Sequence, residues 1–165
     1  MAKMIFVNLP VSDLARATAF YQAIGAEKNP QFCDDTASCM VFSETIHVML
    51  LTHDKYRQFT SKKIADAKTS SQVLICLSAD SRDAVDDMVG KAQGAGGGVD
   101  PGPKQDYGFM YGRSFEDPDG HHLGSDVDGC RGRNRCTVRH GRRLIVQTHQ
   151  QPEFSDVQDF SLPVV

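Results

Sequence analysis

The chain has 165 residues, 40% of them hydrophobic, and a formal net charge of −3. That length suits one compact domain with a buried core, and 12 basic against 16 acidic side chains over residues 1–122 argue against a nucleic-acid surface. Five cysteines (Cys33, Cys39, Cys76, Cys130, Cys136), odd in number and without a CxxC pair, speak against a disulfide framework or a structural zinc site.

In chain order, "MIFVNLP" reads as a strand, and its apolar run is broken by Asn8 and Pro10 too early for a signal-peptide core or a membrane span. A cytoplasmic protein with no membrane partner is therefore expected. Ser12 is the predicted cap of a helix whose Leu14, Ala17, Phe20, Tyr21 and Ile24 share one face, with Gly25 as the stop. Three strand-like runs follow, "AEKNPQFC", "SCMVFSE" and "HVMLLTH", punctuated by "DDT" and "ETI". Residues 1–52 thus form a βαβββ module. The polar stretch 53–71, "DKYRQFTSKKIADAKTS" at its heart, reads as a linker with one short helix.

The pattern then repeats over residues 72–128. Strand "QVLICLSA" leads to Ser81 as cap, a face of Ala84, Val85, Met88 and Ala92, and Gly94 as stop. Cap and stop are 13 residues apart in both halves, and the matching strand order supports a duplication. "GAGGGVDPG" follows a helix where phosphate loops precede one, so it reads as a helix-to-strand connection. The predicted fold class is α+β, two βαβββ modules forming a curled mixed sheet around a cavity.

The last strand of the second module reads as disrupted. After His122 the text turns to Gly, Ser and Asp, then to an arginine-rich tail over 129–165 that lacks the lysines and aromatics of a nucleic-acid arm. Residues Leu123 to Cys130 can be encoded TTG GGA AGT GAT GTG GAT GGA TGC. Read one nucleotide later, those letters give Trp, Glu, Val, Met, Trp, Met and Asp, a respectable buried strand. A single-base frameshift near codon 123 accounts for the break; a genuine polar tail extension is the alternative. The tail is expected to be atypical and disordered, with Leu144 to Val146 as a substitute strand.

The two modules, the phrase "VNLPVSDLARATAFYQAIG" and the turn "FEDPDGHH" resemble the vicinal oxygen chelate superfamily of glyoxalases, bleomycin resistance proteins and extradiol dioxygenases. The resemblance covers residues 1 to about 122 and is greatest to small bacterial glyoxalase-related proteins. It implies a homodimer and, in metal-using members, four His or Glu ligands on the inner sheet faces. Those positions fall here on Phe6, Leu50, Val73 or Ile75, and Gly124. None can supply an imidazole or carboxylate to a hard cation, so no metal and no cofactor is expected.

Period-2 alternation makes Phe6, Asn8, Val48, Leu50, Met110 or Tyr111, Arg113 and His122 the candidates to line a ligand cavity. Arg113 is the candidate grip for a carboxylate or phosphate, and His122 the candidate proton carrier. His47, His53 and His121 are expected in solvent or turns, and Asp117 and Asp119 as turn formers. The reading is a glyoxalase/bleomycin-resistance-like protein that binds a small molecule in an apolar cavity, with no catalytic residue assigned. The alternative is a glyoxalase-like lyase or isomerase, related to lactoylglutathione lyase and using a divalent metal. An interaction module with no ligand is the third possibility.

Overall fold

The computed structural model describes residues 3–128 and the backbone of 135–140 and 143–148. The chain divides into two compact units, Met1–Asp128 and Gly129–Val165.

In the first unit, strand β1 (Ile5–Val11), helix α1 (Leu14–Ala23) and strands β2 (Glu27–Lys28), β3 (Ala37–Val41) and β4 (Ile46–Thr52) make one module. A short helix α2 (His53–Tyr56) begins the connection to strand β5 (Leu74–Ser78). Helix α3 (Arg82–Gly94) and strands β6 (Gly98–Val99), β7 (Gln105–Asp106), β8 (Met110–Glu116) and β9 (His122–Asp128) complete the second. The first sheet runs β1-β4-β3-β2 and the second β5-β9-β8-β6, with β7 also on β8. In each, the module's first and last strands pair in parallel. The same order twice is the duplication made visible. The sheets are mixed and separate, and no closed barrel forms among the described residues.

The helix boundaries differ from expectation in two places. Asp13, not Ser12, caps α1, its carboxylate accepting the Arg16 N–H at 2.9 Å. Ser12, one residue further out, instead donates its N–H to Asp119 at 2.9 Å and its hydroxyl to the same oxygen, joining the start of α1 to the turn before β9. Ser81 caps α3 through the Ala84 N–H at 3.1 Å. That helix runs through Gly94, and Gly96 takes the left-handed conformation that ends it, as Gly25 does after α1.

Each helix buries its apolar stripe against its own sheet. Ala17, Phe20, Tyr21 and Ile24 from α1 meet Leu9, Met40, Val48 and Leu50, while Val89 and Ala92 from α3 join Phe115 and Leu123 in the same cluster. Phe20 and Phe115 stand 6.3 Å apart between ring centroids, so the modules share one core. Gly97 permits this approach, because a Cβ there would collide with the Glu116 carbonyl and lie 2.7 Å from the Phe20 ring.

The expectation of a disrupted last strand is corrected. β9 is a seven-residue strand hydrogen-bonded to β5 on one side and β8 on the other. Ladder pairing uses backbone groups alone, so Gly124 and Asp126 do not prevent it. The misfit lies in the side chains: Ser125 faces the core with no accessible surface, and its hydroxyl has no partner among the described residues.

In the second unit, strands β10 (Arg135–His140) and β11 (Arg143–Thr148) form an antiparallel hairpin. β11 contains Leu144 to Val146 and pairs with β10. The expected disorder of the rest of 129–165 lies outside the described residues. Among the described residues no helix is long and apolar enough to cross a membrane.

Candidate functional site

Register decides which side chains face away from the helices. In the parallel β1/β4 pair, Val7 stands beside Val48 and Leu9 beside Leu50, and these pack toward α1. The alternate residues Phe6, Asn8, His47 and Met49 therefore lie on the helix-free face. In the second sheet Tyr111, Arg113 and Phe115 share the α3 side with Leu123 and Ser125. Met110, Ser114, Glu116, His122 and Gly124 take the helix-free face, together with Leu74 and Cys76 of β5.

Two expected site residues are thereby corrected. Leu50, like Val48, is a fully buried core residue packed against α1. Arg113 lies on the α3 side and is held by two carboxylates: Asp86 at 2.7 Å, and Asp100 at 3.1 and 2.6 Å. The guanidinium holds Asp86 and Asp100 below the usual carboxylate range, and they raise its own pKa in return. Three of its five N–H groups are engaged in this way, and its place on the α3 side turns it away from the helix-free face. Tyr111 joins the same group, donating to Asp86 at 2.8 Å.

Three candidates keep their orientation. Phe6 is 51% exposed, with its ring stacked on His47 at 4.8 Å between centroids. Asn8 donates its amide to the Phe6 carbonyl at 3.3 Å and borders a cleft of about 250 Å³. His122 borders the same cleft and stands directly across the β8/β9 ladder from Glu116, which is also in its wall. Met110 is on the correct face but outside this cleft. The remaining wall is the linker, with Thr60, Lys62, Lys63, Ile64 and Val73 facing β1 and the β8–β9 turn. A second, wider hollow of about 790 Å³ shares Pro10, Lys62, Lys63, Ile64 and His121 with it, among others, and reaches Ser12 and Asp119.

The turn histidine and carboxylates serve the architecture. His121 Nε2 lies 2.8 Å from the Pro10 carbonyl, which accepts from it. Asp117 accepts the N–H groups of Asp119 at 3.0 Å and His121 at 2.8 Å, and the Tyr21 hydroxyl at 3.3 Å. Burial pushes its carboxyl up, and burial together with Asp117 pushes the Tyr21 phenol up. His47 departs from the solvent position expected of it. Placed mid-strand, it is 7% exposed with neither ring nitrogen partnered among the described residues. The Cys76 thiol, on an exposed residue, is pushed up to about 11 by partial desolvation and then by Asp126.

The residues do not fit a four-ligand metal centre. Leu50 and Ile75 face the helices, so their places on the helix-free face are taken by Met49 and Leu74. Phe6, Met49, Leu74 and Gly124 offer no imidazole or carboxylate, and the donors that do stand on the helix-free faces, among them His47, Glu116 and His122, gather into no ligand set among the described residues. No group of three or more His, Cys, Asp or Glu side chains among the described residues converges as a metal site.

Residues 3–41 match a family model described as bleomycin resistance protein-like N-terminal. Among solved structures, a hypothetical protein from S. aureus is 29% identical with a TM-score of 0.64, over 77% of this chain and 95% of that one. A glyoxalase-related enzyme from Fulvimarina pelagi is 13% identical with a TM-score of 0.66, over 89% of this chain and 98% of its own. A glyoxalase/bleomycin resistance protein/dioxygenase family enzyme from Burkholderia phytofirmans PsJN is 20% identical with a TM-score of 0.63, over 77% and 99%. No curated protein matches the sequence.

Proposed function

We propose that this chain, which belongs to the vicinal oxygen chelate superfamily, is a homodimeric small-molecule-binding protein that works without the four-ligand metal site. The observation that carries this reading is the chemistry of the expected ligand positions, Phe6, Leu50, Val73 or Ile75, and Gly124, and of Met49 and Leu74, which take the helix-free face beside Leu50 and Ile75. A hard divalent ion has no donor set there, and a lyase or isomerase mechanism that needs metal-activated proton transfer has no support in these residues. An adjacent cleft with an apolar side and a few polar groups is the usual form of a small-ligand site. Phe6 and Leu74, large apolar residues left half or more exposed, support association with a second copy.

Native mass spectrometry of the full chain tests the reading, since one spectrum reports subunit count, metal and retained ligand. A dimer without stoichiometric metal, stabilised by a small molecule in a thermal-shift panel, is the expected result. One divalent ion per subunit would overturn it in favour of the metal-dependent enzyme.

A further inference from the structure

We propose that the cleft takes a small organic anion, its charged oxygens held by Lys62 and Lys63 and its apolar part against Ile64 and Val73. This names the ligand class for the binding reading above and rests on it. The first support is the distribution of charge partners. The four arginines of residues 3–128 are each paired with carboxylates: Arg16 with Asp119, Arg57 with Asp54, Arg82 with Asp106, and Arg113 with Asp86 and Asp100. Among the described residues only Lys91 of the lysines is ion-paired, and of the others Lys62 and Lys63 are the two that stand in the cleft wall.

The second support is the rest of the lining. Glu116 is its one carboxylate, and it lies across the ladder from His122, so two lysines face one acid that has an imidazole beside it. The hydroxyls of Thr60, Ser70 and Ser71 add neutral donors to the linker wall. Such a wall attracts an anion and repels a cation. The third support is size. A cleft of about 250 Å³ corresponds to roughly eight waters of liquid volume, enough for a short-chain acid, and the wider hollow that shares Lys62 and Lys63 leaves room for a longer apolar part.

Carboxylate and phosphonate share the anionic oxygens that this wall recognises, and calorimetry separates them. Full-length protein is titrated with butyrate, n-butylphosphonate and neutral butyramide at low and high salt, alongside the double variant Lys62→Ala/Lys63→Ala. Both lysines are exposed on a loop, so circular dichroism serves to show that the variant folds. At least one anion should bind with salt-sensitive affinity, butyramide should not, and the variant should lose roughly tenfold, as two partly exposed ion pairs would give. The stronger of the two anions identifies the head group. Equal binding of butyramide, or an unchanged anion affinity in the variant, overturns the anion assignment while small-molecule binding stands. If none of the three probes binds at millimolar concentration the assignment is also overturned, and the thermal-shift panel of neutral compounds then decides the binding reading separately.

Discussion

Replacing Ser125 should make the protein more stable, a direction opposite to that of most core substitutions. Its side chain is completely inaccessible, it lies between Leu77 and Arg113 in the β5/β9/β8 ladder, and its hydroxyl has no partner among the described residues. A buried hydroxyl without a hydrogen bond costs about 1–3 kcal/mol. Ser125→Ala removes that cost and adds no volume, so a gain of about 1 kcal/mol is expected, which for a chain of this size is a Tm rise of roughly 2–4 °C.

Ser125→Val puts in place the residue that one permitted encoding of this stretch gives when read one nucleotide later. It adds apolar burial worth about 0.8 kcal/mol per methyl-sized group, set against about 1–3 kcal/mol if the core cannot yield. Alanine is therefore the clean test, and valine reports whether the surrounding core retains room for the apolar strand. Urea and thermal unfolding followed by circular dichroism measure both. A loss of 1 kcal/mol or more in Ser125→Ala would mean that the hydroxyl is satisfied, and the inference of a misfitted strand would be wrong.

Arg113→Ala should destabilise by about 1–2 kcal/mol, through loss of two partly exposed ion pairs to Asp86 and Asp100 and of the packing of the guanidinium stem, while leaving ligand affinity unchanged. The folded pKa values of Asp86 and Asp100 are lowered by this arginine, so the stability they contribute is present above about pH 4 and is lost as pH falls through their lowered values. Acid unfolding from about pH 4 downward should accordingly be shallower in the variant than in the parent. Gly97→Ala should cost about 2–4 kcal/mol by forcing Phe20 and the Glu116 carbonyl away from the new Cβ, read as a large fall in Tm; a change under 0.5 kcal/mol would show that the modules separate easily there. Exhaustive dialysis against a chelator should leave both Tm and ligand binding unaltered, and a drop in either would restore the metal-dependent alternative.

The sequence carries the modules clearly because their signals are local: a capping Ser81, amphipathic stripes over Phe20–Tyr21 and Val85–Val89, and left-handed glycines at the helix ends. The site was less legible, for a reason visible in β4. "VMLL" is apolar on both faces, so no alternation separates Leu50 from Met49, and only the parallel register with β1 shows which one faces the helices. Arg113 had a readable signal that went unused: it shares parity with Phe115, the most apolar residue of β8 and the one that a core would claim. The cleft's linker wall had none, since Lys62, Lys63 and Ile64 sit in a stretch without period. β9 shows the converse, in that its side chains disagree with a buried strand while its backbone forms one. Strands on both sides present complete ladders to it, and a central strand that failed to pair would leave buried N–H and C=O groups on two neighbours at once. The neighbours impose the strand, and the cost of its polar side chains is concentrated at Ser125, where it can be measured.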